Sequence, residues 1–250
     1  MSSSLSVDEA VETIRRSSLP TVVTEGVTDY FVYRRLESLI SDSGASFLPV
    51  GGRSNVLEIF ARRAEMAGGN VAFVVDLDMW LFSGLPIEFQ SHWIATTHGY
   101  SIENDLYADG EWERLLDHGE RARFERDLGS LSAWFSREID IYLSGGAPII
   151  DLHPDRIVDN AGTVLPDLEA ARQVSTRNQA TFDQIRGDYA RLIRGKTLLG
   201  LLVRHLSYPG RAARHNNRSL MEMAAVVNGL LMNRLAEQVR LALATPLAAV

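Results

Sequence analysis

Residues 71–80 read VAFVVDLDMW. Val71 to Val75 is an unbroken apolar run, three of its five residues β-branched valines, with no polar position alternating through it. A strand with one wet face would alternate; a run like this predicts a strand covered on both faces, as in a parallel sheet. The run stops on two aspartates, Asp76 and Asp78. In an open parallel sheet ligands bind beyond the carboxyl ends of the strands, so the acids fall where chemistry is expected.

The flanking sequence repeats the pattern. Leu19 to Val23 predicts a first strand, and Thr28 an N-cap for a helix reaching Ile40. Phe47 to Val50 predicts a short strand ending on Gly51-Gly52, and Val56 to Met66 carries apolar residues at helical spacing. Trp93 to Ala95 is a fourth strand candidate, and a short helix near Val7 to Arg16 precedes the series. Strands alternating with helices predict an α/β fold with right-handed crossovers. From about Glu111 the pattern turns helical, interrupted by an irregular stretch from Gly145 to Asp167 that holds Pro148, Pro154 and Pro166. That stretch reads as a boundary or a long surface loop. Three further helices are expected, near Glu169 to Ile193, Lys196 to Leu206 and Leu220 to Ala244. The division expected is residues 1–108 as a metal-binding α/β domain and 109–250 as a mainly helical, basic region.

Acids recur at the expected strand ends. Glu25 follows the first strand, Asp76 and Asp78 the third, and Glu103 the fourth, while Asp29 sits a turn into the first crossover helix. Such carboxylates repel one another unless a cation neutralises them, and all-oxygen ligands favour Mg²⁺ or Mn²⁺ over zinc. Asp76 and Asp78 would point to one side if the strand continued through both. Gly51, Gly52 and Asn55, in GGRSN, stand where backbone N–H groups and a helix start could hold a phosphate. Lys196, in RGK, is the only lysine beside 24 arginines, and a compact ammonium can approach a phosphate closely. Each acid has a plainer reading as a cap or turn residue, the better one for Asp29 and Asp105 taken singly.

Composition narrows the classes further. The chain of 250 residues has no cysteine, which excludes disulfides and thiolate ligands and fits a cytoplasmic protein. Its polar, acidic start is unlike a signal peptide, and its apolar runs are too short to span a bilayer. Residues 1–172 hold 28 acids against 14 arginines, whereas residues 173–250 hold four acids against 11 bases. Such asymmetry implies either two regions that attract each other or a basic surface for a polyanion.

Thr24-Glu25-Gly26, with Asp29 four residues after the glutamate, and Asp76-Leu77-Asp78 after a later strand resemble the Toprim fold of topoisomerases, bacterial primases and OLD-family nucleases. That is a Rossmann-like parallel sheet flanked by helices, here with a helical C-terminal part. GGRSN, HGYSIEN and RGK are similar to stand-alone Toprim effectors encoded beside ABC-type ATPases in anti-phage systems such as PARIS. The Toprim part covers about residues 19–108, and a weaker likeness reaches roughly residue 205. The resemblance implies a Mg²⁺-dependent endonuclease acting on RNA, transfer RNA included, or on DNA, as a toxic defence effector. Glu25 would be general acid/base or metal ligand, Asp76 and Asp78 metal ligands, and Glu103 with Asp29 a second ion site or the positioner of the attacking water. Lys196 would stabilise the phosphate, and Arg194 and Arg204 would join GGRSN in holding substrate. The chain has no G-x-x-x-x-G-K-[ST] of its own, so the ATPase would be a separate polypeptide.

Two other readings compete. A haloacid-dehalogenase-type phosphatase would use Asp76 as nucleophile with Thr96 or Thr97 and Lys196 on the phosphate, but it needs an acidic pair after the lysine. Only Glu222 and Glu237 follow, on an apparent amphipathic helix. A catalytically silent Toprim-like subunit that binds an ATPase is the second. Leu230, Leu231, Leu235 and Val239 on the last helix could pair in a homodimer or pack on their own domain.

Overall fold

The computed structural model describes residues 5–26, 30–171 and 178–248. In chain order it contains α1 (Val7–Arg16), β1 (Thr21–Thr24), α2 (Tyr30–Leu39), β2 (Ser46–Pro49), α3 (Arg53–Ala61), β3 (Val71–Val75), α4 (Trp80–Ser83) and β4 (Ile94–Thr96). There follow α5 (Ile102–Gly110), α6 (His118–Leu143), α7 (Pro166–Ala171), α8 (Gln179–Gly187), α9 (Tyr189–Leu192), α10 (Gly195–Leu206), α11 (Asn217–Ala225) and α12 (Leu230–Leu243). The protein is α/β, with one four-stranded, all-parallel sheet in the order β2-β1-β3-β4, flanked by helices, and a helical C-terminal part. It divides into two compact units, Met1–Leu77 with Leu85–His98 and Ala225–Val250, and Asp78–Gly84 with Gly99–Ala224.

The first unit is built on the sheet. Every residue of β1 and β3 is buried, as the apolar runs require of strands covered on both faces. Phe60 of α3 meets Phe73 of β3 edge to face at 5.3 Å on one side. On the other, α12 returns from the far end of the chain to pack on β3, β4 and α2, burying Leu235 and Val239. It also satisfies the edge strand: Thr96 N–H donates to Gln238 Oε1 at 3.2 Å, and Gln238 Nε2 donates back to Thr96 O at 3.2 Å. Leu235 and Val239 are therefore used inside the unit, whereas Leu230 stays 83% exposed. The helix α1 starts on a capping box between Ser6 and Glu9, burying Ala10, Val11 and Ile14 on one face.

The second unit centres on α6, whose Phe124, Leu128, Leu131, Phe135 and Ile139 recur at helical spacing and are buried. Both α8 and α10 pack on it, and α5 packs on α9 and α10. The stretch expected to be irregular is so, apart from a single 3-10 turn at Pro154–Arg156 and a bridge between Val158 and Val164. It is no boundary, however, because the 3-10 turn lies against α10 within the unit.

The units follow a different line from 108/109, since residues 225–250 belong with the sheet and residues 78–84 and 99–108 with the helices. The single helix expected over Leu220 to Ala244 is two, α11 and α12, separated where paired valines at 226 and 227 precede Asn228-Gly229, all weak helix formers. The helix expected from Glu169 to Ile193 is likewise α7, α8 and α9, the last two separated at Asp188 just past Gly187. Among the described residues no helix is long and apolar enough to cross a membrane.

Candidate functional site

Glu25 leaves the carboxyl end of β1, and its Oε1 accepts a hydrogen bond from the backbone N–H of Asp76 at 2.8 Å, just past β3. β1 and β3 are paired neighbours, so sheet register delivers these two acids side by side. Both are partly exposed. The exit from β3 is held from the edge strand: Thr97, wholly buried, accepts the Leu77 N–H on Oγ1 at 3.1 Å and donates its own N–H to Val75 O at 3.3 Å. Its hydroxyl oxygen thus serves the backbone in the place where a phosphatase reading would set it on a phosphate.

β3 ends at Val75, so alternation along a strand does not align Asp76 with Asp78. Asp78 instead adopts a left-handed backbone with φ 47°, which aspartate tolerates better than most residues. Its N–H donates to Tyr100 O at 2.7 Å, and its carbonyl accepts from Leu81 N as the chain enters α4. Asp29, like Thr28, lies outside the described residues.

The turn after β2 uses Gly51 at φ 82° and Gly52 at φ 143°, a pair that side-chain-bearing residues would strain. Asn55 Nδ2 donates back to Val50 O at 2.6 Å, so its amide holds the turn. Gly52 is the N-cap of α3 and no side chain caps that helix.

In the second unit, Glu103 lies in the first turn of α5, where the helix dipole favours a carboxylate. Its side chain is 4% exposed, and Lys196 Nζ, 60% exposed in the first turn of α10, approaches its Oε1 to 3.7 Å. The connection between α5 and α10 runs through Asn104, which is fully enclosed. Asn104 Nδ2 donates to Ala190 O at 2.7 Å and Ile193 O at 2.8 Å, and its Oδ1 accepts from Ser101 N at 3.0 Å and Ser101 Oγ at 3.1 Å. Gly195 is required beside it, since a Cβ there would stand 2.6 Å from Asn104 Oδ1 and 2.8 Å from Glu103 Cβ. Asn104 thereby joins the SIEN and RGK motifs, a role that sequence reading missed; its signal was its place within SIEN, beside Glu103.

Arg194 is half-buried at the N-cap of α10. Arg204 has a different task from the expected one. Its Nη1 donates to Val158 O at 2.8 Å and its Nη2 to Asp159 O at 2.6 Å, with Asp155 at 3.4 Å and Asp127 at 3.8 Å, so it fastens the 155–160 segment. Asp127 itself is wholly buried and was not anticipated. It receives Arg126 Nη2 at 2.8 Å and faces His205 Nε2 at 3.1 Å. Burial pushes the His205 imidazole below its ordinary pKa, against the opposing pull of Asp127.

Among the described residues no three His, Asp or Glu side chains are gathered where they could hold a metal ion. The donors at the sheet edge nevertheless fit Mg²⁺ or Mn²⁺ chemically: Glu25 and Asp76 offer only hard carboxylate oxygens with access to solvent, and Mg²⁺ is commonly held by one or two carboxylates with water completing its shell. No protein-family model matches the chain, and no curated protein matches it in sequence.

Proposed function

We propose that this protein is a Toprim-type, metal-dependent nuclease that hydrolyses phosphodiester bonds in RNA or DNA. The observation that carries the reading is the hydrogen bond from Asp76 N–H to Glu25 at the carboxyl end of two adjacent parallel strands, which supports a shared acidic centre at the sheet edge. Glu25 and Asp76 would hold Mg²⁺ or Mn²⁺, with Asp78 two residues further along the chain. The ion would supply charge neutralisation at the phosphate and a more acidic water. In the alternative role, with Asp76 on the ion, Glu25 would instead exchange the proton of the attacking water. Lys196, in the second unit with its ammonium 3.7 Å from Glu103 Oε1, is the cation that the resemblance assigns to the phosphoryl oxygens. The defence role and a separate ABC-type ATPase partner follow from the same resemblance and belong to the same proposal.

The test is incubation of the purified protein with plasmid DNA and total transfer RNA, in Mg²⁺, Mn²⁺ or EDTA, beside an Asp76→Ala/Asp78→Ala double variant. Cleavage that needs the metal and is absent in the variant is the expected result, and the polymer cut names the substrate. Should neither polymer be cut, with or without the ATPase added, the protein is no nuclease.

A further inference from the structure

We propose that a cavity of about 310 Å³ beside Glu25 holds an unstacked nucleobase of a single-stranded substrate; this rests on the nuclease reading and specifies its substrate class. Thr24, Tyr33, Arg34, Glu37 and Phe47 line the cavity, all within the first unit. Its volume is at the lower end of the range for small-molecule sites, suited to one planar ring system.

Two independent observations point to a ligand. The first is an orphaned polar group. Thr24 is 1% exposed, and its Oγ1 is buried with no hydrogen-bond partner. Parallel register pairs Val22 with Phe47 and Thr24 with Pro49, so the Thr24 side chain shares a sheet face with Phe47. That is the face on which Tyr33 meets Phe47, so the hydroxyl is directed to the cavity side. A buried hydroxyl without a partner is costly, and native proteins seldom keep one without a use. The second is the lining itself. Tyr33 and Phe47 present two rings with centroids 6.4 Å apart and inclined by 38°, leaving an aromatic surface on which a base can stack. Around it stand the chemical groups that a nucleotide engages: an exposed guanidinium at Arg34 for a phosphate, an exposed carboxylate at Glu37 for exocyclic amino groups, and the Thr24 hydroxyl for a ring-edge atom. Thr24 and Gly26 flank Glu25 in the chain, so a base held here brings its own backbone beside the acidic centre. A base paired in a duplex cannot enter, which makes the site selective for single strands, loops or ends.

The test is fluorescence anisotropy in EDTA, with one labelled single strand, its duplex and the same strand carrying abasic positions, against wild type, Tyr33→Ala, Phe47→Ala and Thr24→Val. Wild type is expected to bind the intact single strand more tightly than the duplex or the abasic strand. Loss of one aromatic platform should weaken it roughly 5- to 150-fold. Thr24→Val decides the matter if the aromatic variants fail to fold: it keeps the shape and removes the orphaned hydroxyl. It should melt no lower than wild type yet bind roughly 2- to 12-fold more weakly, a combination that a merely structural hydroxyl would not give. If wild type binds intact and abasic strands alike, or the variants bind as wild type does, the pocket assignment is overturned while metal-dependent cleavage still stands. If wild type binds no single strand at all, the pocket assignment falls and the cleavage assay alone decides the nuclease reading; base-dependent binding without any cleavage keeps the pocket and removes the nuclease.

Discussion

Asn104 offers a test of how the second unit holds Glu103 and Lys196. The substitution Asn104→Ala deletes a carboxamide that makes four hydrogen bonds at 1% exposure: two given, to Ala190 O and Ile193 O, and two received, from Ser101 N and Ser101 Oγ. Ser101 Oγ can rotate to another acceptor; the two carbonyls and the Ser101 N–H are fixed by the backbone. Leaving a buried polar group unpaired costs about 1–3 kcal/mol, and a water entering the vacated space would recover part of that for some of the three groups. The expected loss for the unit is therefore about 2–5 kcal/mol. Urea titration followed by tryptophan fluorescence reads the global loss, since Trp112 and Trp134 lie in this unit.

Hydrogen exchange reads the local one. The Tyr100 amide donates to Arg191 O at 2.8 Å across the same junction. It should exchange at least about 30-fold faster in the variant, the equivalent of 2 kcal/mol. Asn104→Asp retains both acceptor contacts but loses both donors and sets a negative charge against two carbonyls, so it should cost no less than the alanine. The reasoning is refuted if Asn104→Ala falls within about 0.5 kcal/mol of wild type, the ordinary range for a neutral surface change, with Tyr100 exchange unaltered.

Three more predictions concern the buried charges of α6 and the groups they face. Asp127→Ala leaves the His205 ring and the Arg126 and Arg204 guanidinium groups without their common acceptor, and should cost about 3–5 kcal/mol by urea titration, whereas a loss below about 1 kcal/mol would show the cluster to be solvated. Because the folded His205 pKa lies below its unfolded value near 6.5, the neutral ring's contribution is complete above that pH and is lost as pH falls towards the lowered value; His205→Asn should flatten the stability profile in that window. Glu120 is held down to about 2, first by the Arg211 guanidinium and then by the Asp117 N–H and the Tyr208 hydroxyl, while burial pulls the other way. Its contribution is therefore complete above about 4.5, the ordinary carboxylate value, and is lost as pH falls through about 2; Glu120→Gln should lower the melting temperature at neutral pH and remove the decline across that acid window.

What could be read directly from the sequence was local. VAFVV is β3 residue for residue because nothing in it competes with a buried strand, and α1 runs from Val7 to Arg16 because Ser6 and Glu9 announce its start. The first strand is displaced from Leu19–Val23 to Thr21–Thr24, since Pro20 has no N–H to give a ladder and Leu19 remains exposed. Long-range partners were not legible. Arg204 and the carbonyls it fastens are more than 40 residues apart in the chain, and no periodicity marks that pairing. Asn104 stood inside the SIEN motif, but the carbonyls that give it a purpose lie 86 and 89 residues away. The apolar stripe of α12 was visible; that it covers β3 and β4 of its own chain, and so makes the last 26 residues part of the sheet unit, is a property of the topology alone.

The same distinction changes the meaning of the charge asymmetry. Counted along the chain, the basic excess after residue 173 suggests a broad surface for a polyanion. Within the second unit much of it is already matched: Arg186 meets Glu125 at 2.5 Å, Arg211 meets Glu120 at 2.8 Å, and Arg204 and His205 converge on Asp127. Arg240 of the first unit pairs with Asp42 at 3.5 Å and donates to Leu39 O. These acids lie upstream and in part are buried, so the basic segment serves first as the internal counterpart of the acidic one. On the proposed nuclease reading, nucleic-acid binding would rest on particular groups rather than on total charge, among them the exposed ammonium of Lys196 and the aromatic cavity beside Glu25.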